Sequence, residues 1–229
     1  MDNKTLISVV KWMVIIITPF FLTLFTLRLM ISWNSPGYPD FEYRRIPPDR
    51  FGFTQAERLE LANATLAYLR RPEPASEAIH LLRDLRLPGT NQPLYSESEL
   101  GHMFDVKRLA DLFRQLLWIL VAVAAAGLFF LLARPATRSE GYRAIMGGGL
   151  LTAGILTTIV LLILVAWNFV FVQFHELLFP PGTWSFAYSD SLIRLFPEQF
   201  WFDFGVIWTV GILVQGILLA LVGYVLNRN

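Results

Sequence analysis

The chain has 229 residues, of which 55% are hydrophobic and only 16% are charged. A soluble domain of this length carries about 25% charged residues, so the composition excludes an ordinary water-soluble globule and points to lipid as the solvent. The net charge of +1 offers no bulk electrostatic reason to bind nucleic acid, and the absence of cysteine removes disulfides, thiolate nucleophiles and cysteine-based metal sites.

A helix needs about 20 apolar residues to cross a bilayer. Four stretches qualify, at about 9–33, 115–133, 146–172 and 204–226. The first has no charge from Trp12 to Leu27, with Lys11 and Arg28 near its ends, where they can snorkel. Its length and the lack of a small-residue cleavage pattern set it apart from a cleaved signal peptide. The segment that follows, to about residue 111, reads as structured. Thr54-Gln55-Ala56-Glu57 is a capping-box pattern, and it opens an amphipathic helix to about Arg70 with Leu59, Ala62, Leu66 and Leu69 on one face. Arg71-Pro72 ends it. A loop marked by Pro88-Gly89 and Pro93 follows. Ser96-Glu97-Ser98-Glu99 is a second capping box, and no breaker between Gly101 and span two interrupts the helix it starts. Gly147-Gly148-Gly149 in span three permits close helix packing. After span three the chain breaks at Pro180-Pro181-Gly182, and Ser189-Asp190-Ser191 reads as the cap of a short helix.

Orientation follows from the short loops. Arg134, Arg138 and Arg143 stand between spans two and three against one Glu, while the loop after span three holds a single Arg. The positive-inside rule then places both termini and the arginine turn in the cytoplasm, and the loops 34–111 and 173–203 outside. The expected architecture is a single membrane domain, 1–229. It is an all-α integral membrane protein of four transmembrane helices with a helical extracytoplasmic loop domain between spans one and two.

Chemistry-bearing residues are sparse. There are three histidines, His80, His102 and His175. The topology puts His102, above span two, and His175, at the outer end of span three, at one membrane boundary. His80 reads as surface or packing. Histidine titrates nearest neutrality and can both take and give a proton. Asp105, three residues after His102, falls on the same helix face and is positioned to orient the imidazole and stabilise its cation. A competing chemical reading is a metal-dependent membrane hydrolase, with His102, Asp105, His175 and Glu176 or Asp190 as ligands, although the two-His zinc spacing is absent. A third is a non-enzymatic scaffold whose outer loop binds a partner.

The residues Leu94-Tyr95-Ser96-Glu97-Ser98-Glu99-Leu100-Gly101-His102-Met103-Phe104-Asp105-Val106-Lys107 resemble the hallmark of the bacterial lipoprotein intramolecular transacylases, a family of four-span membrane proteins. Phe174-His175-Glu176-Leu177-Leu178-Phe179 with Gly182-Thr183-Trp184, and Asp190 to Glu198, resemble two further hallmarks. The resemblance implies transfer of the sn-2 acyl chain of an S-diacylglyceryl-cysteine to its own α-amino group, giving an N-acyl, lyso-form lipoprotein. It implies His102, His175 and Asp105 as catalytic residues and Tyr95, Lys107, Phe179, Trp184 and Asp190 as substrate-binding residues. No metal or other cofactor is implied. The implied partners are diacylated lipoproteins and membrane lipid, at the outer face of a bacterial cytoplasmic membrane.

The reaction suits these side chains. It is aminolysis of an ester within one molecule, so no enzyme nucleophile is needed. The amine, with a free pKa of about 8, must lose a proton as it attacks. His102 is the natural base and His175 its partner acid, or the reverse. Oxyanion donors, worth about 3–4 kcal/mol each, are to be sought in Lys107, the Trp184 indole or backbone N–H groups near Pro181-Gly182. Holding amine and ester together supplies about 7–11 kcal/mol of the barrier, with the apolar helices holding the acyl chains.

Overall fold

The computed structural model describes residues 3–33 and 37–228. The first residues of the first loop, 34–36, lie outside them. Among the described residues the regular structure is helical: α1 (Asn3–Ser32), α2 (Tyr38–Tyr43), α3 (Gln55–Arg70), α4 (Ala75–Ala78), α5 (His80–Arg83), α6 (Glu97–Leu132), α7 (Arg138–Leu178), α8 (Ser191–Leu195) and α9 (Glu198–Arg228). α1, α6, α7 and α9 are long and apolar enough to cross a membrane. These are the four expected spans, each extended by polar turns. α6 runs unbroken from its capping box to Leu132, as the lack of a breaker predicts. α7 is less regular than expected, because Ala166 leaves helical dihedrals at φ −142° and ψ 43°.

The chain forms two compact units, residues 1–28, 113–165 and 206–229 in one, and 29–112 and 166–205 in the other. The first unit is packed through small residues. Val14, Ile15, Leu131 and Ala144 form one buried cluster, and Leu22, Leu156 and Ile212 another. The three consecutive glycines of α7 face different neighbours. A Cβ on Gly147 would meet Ile15 of α1, one on Gly148 would meet Thr18 of α1, and one on Gly149 would meet the backbone of Gly216 and Ala220 on α9. Between apolar helices in lipid there is no hydrophobic drive to associate, so such close approach supplies the packing. Polar ties assist it. Gln215 Nε2 donates to Thr26 Oγ1 (2.8 Å), and Lys11 pairs with Glu140 at 2.9 Å. Large apolar side chains such as Trp118, Phe129 and Leu161 face outward, where lipid would solvate them.

The second unit is a helical domain, and its packing corrects the expected face of α3. The buried stripe is Arg58, Leu61, Ala62, Thr65 and Tyr68, while Leu59, Leu66 and Leu69 are half-buried. Polar residues win the inward positions because each finds a partner there. Arg58 donates to the carbonyls of Pro47 and Arg194 and lies over the Tyr43 ring at 4.4 Å. Thr65 meets the Tyr95 hydroxyl, and Tyr68 donates to the Met103 carbonyl. The Thr54–Glu57 capping box is present as predicted. Arg194 closes on Asp49 (2.9 Å) and lies 3.5 Å over the Phe53 ring.

Candidate active site

Two helix ends carry the histidines. α6 begins with the Ser96 box. Ser96 Oγ accepts from the Glu99 amide, and Glu99 Oε2 accepts from the Ser96 amide (2.7 Å) and hydroxyl (2.9 Å). The second oxygen of the buried Glu99 accepts the Leu192 amide at 2.7 Å. That bond ties the first turn of the His102 helix to the start of α8. His175 sits in the last turn of α7. The chain then turns at Gly182, whose φ of +79° suits a residue without Cβ.

The imidazoles face one another, with ring centroids 6.4 Å apart and planes 27° from parallel. Aromatic rings enclose them. Phe179 stands edge-on to His102 at 4.9 Å, Phe186 lies 5.5 Å from His102, and Phe171 and Trp184 lie 4.1 and 4.9 Å from His175. His102 is only 8% exposed. His175 Nδ1 is 2.7 Å from the Phe171 carbonyl oxygen. A carbonyl only accepts, so Nδ1 holds the proton and the neutral ring keeps its lone pair on Nε2. His102 Nδ1 and the Trp184 Nε1–H are both buried without a hydrogen-bond partner. Both histidines precede or follow the uncharged stretches of their helices. Burial, and then the His175 ring beside it, push His102 down to about 4. Burial also holds His175 below its ordinary value, opposed by the Phe171 carbonyl. Both rings are therefore neutral at neutral pH.

The other expected site residues fare differently. Phe179 and Trp184 are gathered at the histidines. Asp105 is not bonded to His102. Its charged neighbour is Arg108 at 4.0 Å, one turn onward, and His102 Nδ1 is without a partner. Lys107 is fully buried, and its ammonium group donates to the Arg71 carbonyl (2.9 Å) and to both Asp111 oxygens (2.8 and 2.9 Å). Its three N–H groups are thus taken, and it has none left for an oxyanion. Tyr95 is buried with its hydroxyl 2.6 Å from that of Thr65, and Asp190 accepts the Ala187 amide at 2.9 Å. These three side chains are engaged with partners other than the imidazoles. Exposed His80 contacts its neighbouring turn through Nδ1 and the Glu77 carbonyl, as a surface residue would. Among the described residues no three of His, Asp and Glu are gathered as a metal-ligand set. Sequence reading missed Phe186, the Phe171 carbonyl and the Glu99–Leu192 tie. The capping pattern signals only the local half of what Glu99 does.

Comparison with known proteins bears on the family and the fold. The family model described as lipoprotein intramolecular transacylase Lit matches residues 12–201. An uncharacterised protein of Aquifex aeolicus (strain VF5) is 28% identical over 191 residues, covering 82% of each chain. Two in meso structures of the membrane-integral lipoprotein intramolecular transacylase Lit from Bacillus cereus share the fold. One has a TM-score of 0.65 and 19% identity over 99% of this chain and 96% of that one. The other, a His-to-Arg variant, has a TM-score of 0.68 and 18% identity over 99% and 94%. Since the family model spans most of the sequence, this multi-pass membrane chain belongs to the lipoprotein intramolecular transacylase family and is an acyltransferase.

Proposed function

We propose that the chain moves the sn-2 acyl group of an S-diacylglyceryl-cysteine lipoprotein to the free α-amine of the same cysteine, and that His175 is the proton carrier. The observation that carries this reading is the facing pair of rings with His175 Nδ1–H anchored on the Phe171 carbonyl. That anchor aims the lone pair on Nε2 away from the helix backbone and stabilises the imidazolium once it forms, the part that the sequence reading assigned to Asp105 for His102. The amine nitrogen attacks the ester carbonyl carbon and gives its proton to His175 Nε2. The C–N bond forms and the carbonyl oxygen becomes an oxyanion. The bond from carbon to the glycerol oxygen then breaks, and His175 returns the proton to that oxygen, leaving an amide and a free glycerol hydroxyl. One imidazole serves as base and then acid. His102 beside it stays neutral, because two imidazolium rings at this spacing repel. It offers a neutral ring for hydrogen bonding to the reacting group.

The Trp184 indole N–H is the oxyanion donor of this scheme. It is buried, without an acceptor, on the ring packed against His175. Lys107, fully engaged elsewhere, is not. The membrane orientation of the scheme places this site at the outer face. The Lys11–Glu140 pair supports it by joining the N-terminal segment to the arginine turn, two regions assigned to one side by their charge. The test is mass spectrometry of a lipoprotein N-terminus after co-expression in a host that makes only the diacyl form. The lyso form, with the former sn-2 chain on nitrogen, is the expected product. His102→Ala and His175→Ala should each lower conversion by at least about 10²-fold at unchanged membrane abundance. Unaltered diacyl lipoprotein in the presence of well-expressed wild-type protein refutes the proposal.

A further inference from the structure

Among the described residues of this unit two indole N–H groups are buried without an acceptor, and the reaction scheme uses only one. The second is Trp167 Nε1. Trp167, Phe171 and His175 are spaced by four residues along α7, on one helix face. Their rings form a continuous row that Trp184 completes, with centroid separations of 5.4 Å from Trp167 to Phe171, 4.1 Å from Phe171 to His175 and 4.9 Å from His175 to Trp184. Phe202 packs edge-on against Trp167, at 5.4 Å and 86°, and fixes the plane of the indole. The row therefore has the proton carrier inside it and an unfilled hydrogen-bond donor at each end.

The chemistry of the missing acceptor is narrow. An indole donates one hydrogen bond and accepts none, and a buried donor in a native protein nearly always has a partner. Trp167 lies within the uncharged interval 144–174, so its own helix offers no cation within two turns to a carboxylate or phosphate placed against it, and such a charge would resist burial. A neutral carbonyl does not. The substrate class offers two such groups a few bonds apart, the ester that reacts and the ester that stays. With Trp184 assigned to the first, we infer that Trp167 Nε1–H binds the carbonyl of the retained sn-1 ester and so sets how the diacylglyceryl group lies against His175. This inference rests on the transacylase reading above. It makes Trp167 a substrate-binding residue that recognises an ester rather than merely an alkyl chain.

The test uses the full-length protein in detergent with two lipopeptides, the S-diacylglyceryl form and an analogue whose sn-1 ester is replaced by an alkyl ether of equal length. The ether keeps the chain and the reacting sn-2 ester but lacks the carbonyl. Wild type should lose about tenfold in kcat/KM on the ether, the worth of roughly one neutral hydrogen bond. Trp167→Phe, which keeps a ring against Phe171 and Phe202, should lose about as much on the diester. On the ether it should equal wild type, because the two losses are one bond counted from either side. Equal turnover of diester and ether by wild type overturns the inference while leaving the transacylase reading intact. A Trp167→Phe loss of the same size on both substrates overturns it too, since that is damage to packing. Failure of wild type to convert even the diester removes the transacylase reading and the inference with it.

Discussion

Lys107 separates two accounts of the hallmark helix. As an oxyanion donor it would act on the rate alone, whereas its position in the structure makes it a tie between α6 and the end of α3. The side chain is fully buried, its Asp111 partner is 16% exposed, and the ammonium group meets the Arg71 carbonyl as well. Lys107→Met keeps most of the volume but takes the buried ammonium group away from a carboxylate and a carbonyl. Removing one partner of a buried pair costs about 3–5 kcal/mol. The partial exposure of Asp111 puts the expected value at the lower end, about 3 kcal/mol. For a chain of this length each kcal/mol shifts the melting temperature by about 2–4 °C, so the variant should melt roughly 6–12 °C lower in detergent. Replacing both partners, Lys107→Met with Asp111→Leu, should recover much of that loss, because the carboxylate that lost its buried ammonium partner is removed with it. The assay is thermal unfolding of purified protein with transacylase activity measured well below the transition. A variant that melts with wild type yet loses about 10²–10³ in kcat, the signature of a lost oxyanion donor, would refute the reasoning and return Lys107 to the reaction.

Three further outcomes follow from the geometry. Asp105→Asn should change kcat less than about threefold, because Asp105 makes no hydrogen bond to His102. A drop of the size seen when a catalytic carboxylate is neutralised, about 10⁴, would restore the orienting role. In kcat/KM the substrate amine sets one acid limb near its free pKa of about 8, and the enzyme's own limb should lie below the ordinary histidine value of 6.5, since both imidazoles are held below it in the folded protein and the neutral form reacts. The same depression makes the unfolded chain protonate first. Stability from His102 is thus complete above 6.5 and is lost as pH falls toward about 4; titration followed by unfolding at fixed temperature reads the sign. Gly149→Val should destabilise by roughly 1–3 kcal/mol or more. The atoms that a side chain there would meet are backbone of Gly216 and Ala220, which cannot swing aside. Gly154→Val, with open space about its Cβ position, is the matched control.

Features that arise within one stretch of chain were legible without coordinates. A bilayer imposes about 20 apolar residues on any helix that crosses it, so the four spans declare themselves by composition. Caps work over three residues, which is why the starts of α3 and α6 were readable at Thr54 and Ser96. His102 and His175 stood out because the chain has three histidines and these two border the spans. Partnership was a different matter. That Asp105 shares a face with His102 follows from helical periodicity, but whether its carboxylate reaches the ring depends on rotamer and on Arg108, and the ring went unpaired. Lys107 and Arg58 were drawn inward by carbonyls far along the chain, Arg71 and Arg194, which no local pattern encodes. The His175 tautomer rests on the Phe171 carbonyl, a backbone atom present at every position and informative only once the imidazole is seen to meet it. The row from Trp167 to Trp184 depends on the turn at 180–182 bringing Trp184 against His175. Local periodicity and solvent preference thus determined which segments are helical and which side chains can do chemistry. Only tertiary packing decided which polar groups were satisfied and which were left without a partner, because a hydrogen bond requires a partner within about 3 Å and the chain's long-range contacts set that distance.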